Sequence, residues 1–386
     1  MNLFYISLVL TFASLLFIKD KQKALYLSFI LLFIPWGLQY QATQDWDVNL
    51  LRWDFVNVNA KVGLDGLDRE LEPLYTAILQ MCKPLSFFGF LMLSGFIELF
   101  VIFYFLKRYV SPGYYWVSIF ILMIKVNYGL LFINSNRQTL SVICVMVAVL
   151  FMLKVKMPKS LRDINILYII ISIVFFIAAP KIHSSAYISY IIIPIYLIIR
   201  YIHRPNRLIL YVICNILYVS RFFIDAGSYQ LFASLYLNSL QIEEIEFFDK
   251  YLEGLDNENL ISSRFNQVVE WTMMNLIIGY YHKLTHEHRL FGMMWIISYL
   301  LGGFLIHTLA RITVYFYIYL IYVAPKIFEL IYEKVDKKNA LLMSVYTVIL
   351  VFFLNNFRVN MVENEEGRYY YRWHTFKTVF QAPEWR

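Results

Sequence analysis

The chain has 386 residues, 60% of them hydrophobic and 16% charged, with a formal net charge of +7. Soluble globular chains are about half apolar and a quarter charged, so this balance excludes an ordinary water-solvated fold and points to lipid as the solvent. The apolar residues come in blocks close to the roughly 20 that a helix needs to cross a hydrocarbon core, without the alternation of a membrane β-barrel. The positive charge then reads as a topology signal rather than a nucleic-acid footprint.

Twelve helices are predicted, near residues 3–18, 24–39, 87–106, 114–133, 138–153, 164–180, 185–202, 208–223, 268–282, 291–310, 312–332 and 339–354. The expected fold is an all-α polytopic membrane protein, one integral domain over residues 1–386. The first block, Leu3 to Ile18, is followed by Lys19, Lys21 and Lys23 and by no small-residue cleavage site. It therefore reads as a retained helix, not a signal peptide. Loops holding Lys19–Lys23, Lys107–Arg108, Lys154–Arg162, Arg200–Arg207, Lys283–Arg289 and Lys326–Lys338 carry twice the basic residues of the opposite loops, the C-terminal tail left aside. The positive-inside rule makes them cytoplasmic and puts both termini outside.

Three outer segments follow from that orientation: 41–86, 225–267 and the tail 355–386. The first two are acidic and aromatic, which suits folded caps better than linkers. Pro73 to Phe88 is apolar but broken by Pro84. A full crossing there would reverse the charge assignment of every later loop, so a half-helix dipping in from outside is expected, lining a cavity. The tail holds Tyr369-Tyr370-Tyr371-Arg372-Trp373-His374, an aromatic and cationic strip suited to a membrane interface and expected to pack on the bundle. Cys82, Cys144 and Cys214 lie far apart in apolar surroundings and show no metal or redox pattern.

Ionisable residues near bilayer depth are functional candidates by default. Arg137 begins the fifth helix, His183 lies between the sixth and seventh, and Arg311 joins the tenth and eleventh with His307 one turn before it. Asp45, Asp47, Arg52 and Glu72 lie in or beside the first outer loop. All fall on the outer side. Two arginines over a cavity form a fork for diphosphate, because guanidinium binds phosphate oxygens bidentately. A helix N-terminus at Arg137 adds N–H donors and a favourable dipole for an anion. The bland alternatives are arginines reaching to headgroups and a packing histidine at His183. Glu98 and Lys125, inside predicted helices, either pair or reach to the headgroups. His282, His286 and His288 have helical spacing, yet they sit in a cytoplasmic loop and do not form His-Glu-x-x-His, so no metal is expected.

These residues resemble a family. Asp45-Trp46-Asp47-Val48-Asn49-Leu50-Leu51-Arg52-Trp53, Glu72-Pro73-Leu74-Tyr75, Arg137-Gln138-x-Leu140-Ser141, Ile182-His183-Ser184-Ser185-Ala186, Arg311-x-x-x-Tyr315-Phe316 with Pro325, and Phe376 to Phe380 are similar, in that order, to motifs of the EpsG-type branch of Wzy polysaccharide polymerases. Ser141 stands where alanine is usual, and leucine or tryptophan replaces the usual first-loop tyrosine. The resemblance implies a GT-C-like bundle in the bacterial inner membrane and a metal-independent glycosyltransferase with no cofactor. Its substrate would be an undecaprenyl-diphosphate-linked oligosaccharide, with flippase and chain-length regulator proteins as companions and no nucleic acid. It assigns Arg137 and Arg311 to the diphosphate, His183 to the diphosphate or the acceptor, and Asp47 or Glu72 to the base or acceptor-sugar role. Asp45, Arg52, Gln138, His307 and Tyr315 are the further substrate-binding candidates. The alternatives are a lipid-linked oligosaccharide flippase or an O-antigen ligase-like transferase.

Overall fold

The computed structural model describes residues 3–40, 46–55, 72–124, 136–155, 165–201, 205–220, 264–302, 312–333 and 377–378. They are helical apart from two short strands. Four stretches among the described residues are long and apolar enough to cross a membrane: Pro73–Tyr109, Asn136–Lys154, Ser184–Tyr201 and Val314–Tyr332. Shorter apolar helices accompany them, Ile166–Ile182 among these. On that helix Ile166, Ile170, Ile173 and Ile177 are each more than half exposed. Such a face is stable only where lipid replaces water. The predicted helix at 339–354 and most of the outer segment 225–267 lie outside the described residues. The chain divides into two compact units, residues 1–190 with 345–386, and residues 191–344.

The first unit begins with a helical hairpin, α1 (Leu3–Phe17) and α2 (Lys21–Gly37). Asp20 caps α2 by accepting from the N–H groups of Gln22 and Lys23 at 3.0 and 3.1 Å. Between the two helices the Ser14 and Ser28 hydroxyls meet at 3.0 Å. Small polar residues of this kind let apolar helices approach and hydrogen-bond where no hydrophobic force separates them from lipid. Just after α2, the strand β1 (Gln39–Tyr40) pairs antiparallel with β2 (Lys377–Thr378), Gln39 opposite Thr378 and Tyr40 opposite Lys377. A piece of the C-terminal tail is thereby tied to the end of α2.

Helix α3 (Trp46–Phe55) and helix α4 (Pro73–Cys82) precede the long α5 (Ser86–Tyr109). A 3-10 turn at Lys83–Leu85, containing Pro84, joins α4 to α5, and Ser86 takes φ 65° there. The break expected at Pro84 is present, with helix on both sides of it. Trp53, Tyr75, Leu79, Phe87, Phe90, Leu91, Leu140 and Ile182 form the buried cluster on which α3, α4 and α5 rest. Helix α6 (Tyr115–Ile124) is followed by the pair α7 (Asn136–Lys154) and α8 (Ile166–Ile182). Two serine hydroxyls bind that pair across its interface: Ser141 donates to the Ala179 carbonyl at 2.8 Å and Ser172 to the Ala148 carbonyl at 2.9 Å.

Helices α2 and α5 touch backbone to backbone. A Cβ on Gly95 would lie 3.0 Å from the Gly37 Cα and 3.2 Å from the Trp36 carbonyl oxygen. One turn along, the Trp36 indole N–H donates to Glu98 Oε2 at 2.7 Å. Sequence alone offered Glu98 either Lys125 or the headgroups. The carboxylate is instead buried, 1% exposed, with Trp36 as donor to one oxygen, while Lys125 lies outside the described residues. The indole was legible only as an aromatic residue following Pro35.

In the second unit α9 (Ile192–Tyr201), α10 (Arg207–Ser220), α11 (Arg264–Tyr280), α12 (His286–Gly302), α13 (Val314–Tyr317) and α14 (Leu320–Tyr332) pack through aromatic rings and amides. Phe291 stacks on Tyr319 at 5.3 Å, and Trp295 on Tyr299 at 5.5 Å. Helices α10 and α11 are bridged by Asn215 Nδ2 to Asn275 Oδ1 at 3.0 Å and by the Tyr211 hydroxyl to the Asn275 carbonyl at 2.8 Å.

The close approach of α2 and α5 gives a direct test. Gly95→Leu is expected to cost about 1–3 kcal/mol by forcing the two backbones apart, read as a lower thermal midpoint in detergent. Gly113→Ala, where an added Cβ meets nothing within 4 Å, is expected to leave the midpoint unchanged.

Candidate functional site

The site is built around a residue in a position that does not suit it. Glu72 is the N-cap of α4, with Pro73 in the first helical position. Proline is well placed there because its missing N–H has no helical partner to lose. The favoured caps are Ser, Thr, Asp and Asn, whose short side chains reach the second or third N–H of the helix. Glu72 makes no side-chain cap; only its carbonyl serves, accepting from the Thr76 N–H at 3.0 Å and the Thr76 hydroxyl at 3.2 Å. Its longer side chain turns away from its own helix and toward two others.

One of those is α7. Arg137 Nη1 donates to Glu72 Oε2 at 2.7 Å, with side-chain exposures of only 22% and 16%. Exposed ion pairs are worth about 0–1 kcal/mol; one this far out of water costs much more to break from one side, toward the roughly 3–5 kcal/mol of fully buried pairs. The first turn of α7 is fixed by Asn136, which is buried and donates from Nδ2 to Ser94 Oγ of α5 at 2.7 Å. Gln138 is buried on the other side of Arg137. The described part of α7 begins at Asn136, two residues before the predicted bound, and Arg137 lies in its first turn.

The other is the junction after α8. That helix ends at Ile182 with His183 in extended conformation, and a 3-10 helix, Ser184–Ile191, begins at once. A helix start leaves N–H groups without helical acceptors. Here the Ser184 N–H donates to Glu72 Oε1 at 3.0 Å, and the Ser185 N–H donates to His183 Nδ1 at 3.2 Å, where the Ser185 hydroxyl also lies at 2.7 Å. A backbone N–H can only donate, so Nδ1 is the acceptor and the imidazole proton sits on Nε2. The Glu72 carboxylate thus lies in a cradle of one guanidinium and one helix-terminal amide. This is the donor set that receives phosphate oxygens elsewhere.

Tyr75, one turn into α4 and 1% exposed, stands within electrostatic reach of Arg52, Arg137 and Glu72 together. Arg52 of α3 donates to Asn49 Oδ1 at 3.2 Å. Of the residues singled out in the sequence, Glu72, Arg137 and the His183–Ser184 junction are therefore brought together, with Arg52 and Gln138 close by. Asp47 is placed on α3. Asp45, His307 and Arg311 lie outside the described residues. Tyr315 is fully buried in α13 of the second unit. Sequence reasoning missed Ser94 and its bond to Asn136, and it missed the Ser184 N–H because a backbone group leaves no mark in a pattern of side chains.

Among the histidines noted at 282, 286 and 288, His288 Nδ1 meets the Thr285 hydroxyl at 2.7 Å at the start of α12. Among the described residues no three His, Cys, Asp or Glu side chains gather as a metal site.

Helices long and apolar enough to cross a membrane, with a largely dehydrated Arg137–Glu72 pair among them, define a membrane protein. A family model described as the EpsG family matches residues 22–372, and the chain belongs to that family. Comparisons with curated proteins and with solved structures find no match. Membership implies a polymerase-like role in polysaccharide biosynthesis, in a membrane and on a lipid-linked oligosaccharide.

The Ser94–Asn136 bond predicts a coupling between the helices that carry the site. Ser94→Ala and Asn136→Ala should each destabilise the protein in detergent. Their double mutant should fall short of additivity by about 1 kcal/mol, the usual net worth of one hydrogen bond.

Proposed function

We propose that the chain is a polysaccharide polymerase that joins oligosaccharide repeat units carried on undecaprenyl diphosphate, at the outer face of a bacterial inner membrane. The observation that carries this reading is the Arg137 cradle, a largely dehydrated guanidinium already matched to an anion at 2.7 Å. The twelve-helix, GT-C-like arrangement of a multi-pass transferase belongs to the same proposal.

The chemistry is glycosyl transfer. The bond between the sugar anomeric carbon and the diphosphate oxygen breaks, and its electron pair leaves with the diphosphate. An acceptor hydroxyl oxygen forms the new bond to that carbon, and its proton passes to a carboxylate. Charge grows on the diphosphate as the bond stretches, so a preorganised guanidinium there lowers the barrier more than it tightens substrate binding. Arg137 is assigned that role. His183, with its proton on Nε2, suits donation to a diphosphate oxygen better than proton abstraction. Glu72, or Asp47 on α3, is assigned to the acceptor hydroxyl.

Polymerisation by purified protein with lipid-linked repeat units tests the assignment. Arg137→Ala is expected to lower turnover about 10²–10³-fold, as loss of a transition-state donor does elsewhere. Arg137→Lys should recover only part of it, since an ammonium lacks the planar fork. A folded Arg137→Ala variant that polymerises like the wild type would sink the reading. Topology is checked separately. In a cysteine-less background, Ser184→Cys, at an exposed position, should react with an impermeant maleimide added from outside the cell; labelling only after permeabilisation reverses the orientation.

A further inference from the structure

The Glu72 carboxylate occupies the donors that a phosphate group would use. Its Oε2 takes the Arg137 guanidinium at 2.7 Å and its Oε1 takes the Ser184 N–H at 3.0 Å. Both donors are fixed by elements outside the helix that Glu72 begins: Arg137 by the first turn of α7, and the amide by the break between α8 and the 3-10 helix. Glu72 itself is placed differently. Its side chain makes no bond to its own helix, and it reaches the cradle from an N-cap position where a shorter residue would serve the helix better. A carboxylate and a phosphate present similar acceptor oxygens to guanidinium and amide. The arrangement is therefore a preformed anion site filled by a side chain of the same molecule.

We infer that Glu72 is an internal placeholder for a phosphate group of the lipid-linked diphosphate, displaced from Arg137 and the Ser184 N–H when that substrate binds. The inference rests on the reading of Arg137 as the diphosphate ligand and adds how the site behaves between substrates. An arginine exposed to only 22% cannot stand without a counterion in apolar surroundings. With Glu72 in place the local charge is balanced in the empty protein, and substrate arrival exchanges one anion for another. Displacement also changes what Glu72 is able to do. In the paired state its two oxygens are held by Arg137 and the Ser184 N–H. Once released, the carboxylate is free to turn to a sugar hydroxyl. The device lowers apparent affinity, because substrate binds only the fraction of molecules in which Glu72 has moved aside.

The test is equilibrium binding to the full-length chain in nanodiscs, with undecaprenyl diphosphate as probe and undecaprenyl monophosphate and inorganic diphosphate as separate arms. Removing the competitor should tighten binding, so Glu72→Gln is expected to bind undecaprenyl diphosphate at least about fivefold more tightly than the wild type, a lower bound set by a fully exposed ion pair. Arg137→Ala should bind at least tenfold more weakly, and Glu72→Gln should bring no gain on that background. A larger gain with the two diphosphates than with the monophosphate would identify the diphosphate itself as what Glu72 replaces; a gain confined to the two lipids would place the competition at the lipid and overturn the inference. If Arg137→Ala weakens binding while Glu72→Gln weakens it or leaves it unchanged, Glu72 is a fixed support for Arg137 and the placeholder idea fails, with the role of Arg137 intact. If Arg137→Ala binds like the wild type, both readings fall. Should Glu72→Gln not fold, Glu72→Asp keeps the charge but shortens the reach by one methylene, and the same tightening is expected.

Discussion

Lipid cannot solvate a guanidinium, and that constraint shapes the first unit of this protein. Arg137 sits in the first turn of a largely apolar helix, where a charge far from water needs a partner. The chain answers with Glu72, brought from 65 positions away by the N-terminus of α4. That contact requires α4 to pack on α8, which the buried cluster around Tyr75, Leu79 and Ile182 provides. It also requires α7 to begin at a fixed height against α5, which the Asn136–Ser94 bond provides. The ion pair is thus less a brace for the fold than the condition the fold has to meet. Whatever holds α4, α7 and α8 together also sets the geometry of the cradle.

The packing that meets this condition does not rest on burial of oil against oil. In lipid the apolar faces of α8 gain little by leaving one neighbour for another. What distinguishes the chosen contacts is short-range and directional. Gly37 against Gly95 lets two backbones meet, Ser141 and Ser172 reach carbonyls across the α7–α8 interface, and Trp36 reaches Glu98. Each lies on the interior face of its helix. A lipid-facing Ile166 or Ile173 can vary among apolar residues without changing the site, whereas an added Cβ at Gly95 cannot be absorbed.

Much of this was legible before any coordinates, and the boundary of what was not is physical. Among the described residues most helix positions followed from long apolar blocks, because the need to satisfy backbone groups in lipid leaves few alternatives to helix; α3, with its polar and charged residues, was read only as part of an outer loop. Arg137, Glu72 and His183 stood out because charge at that depth is costly. The break near Pro84 followed from the ring's missing N–H. The pairing of Glu72 with Arg137 was not legible, since nothing in spacing relates two residues on helices whose order in space is unknown. The Trp36–Glu98 bond was missed for the same reason, and the carboxylate was offered Lys125 or the headgroups instead. Ser184 was noticed as part of a His-Ser motif, yet its contribution is a main-chain amide that any residue but proline would supply. Its importance comes from the helix break at His183, where the chain leaves α8 and starts again.

That break connects the constraint to the chemistry. A continuous helix through residues 166–201 would spend the Ser184 N–H on its own carbonyl ladder. Extended backbone at His183 instead exposes one amide to Glu72 and turns the next onto the His183 ring, which sets the ring's tautomer. The same local event therefore supplies a donor to the anion cradle and decides which histidine nitrogen carries the proton. The two are not independent features that happen to be neighbours. A substitution that healed the break would remove the amide donor and free the histidine tautomer together, while leaving Arg137 and its helix untouched.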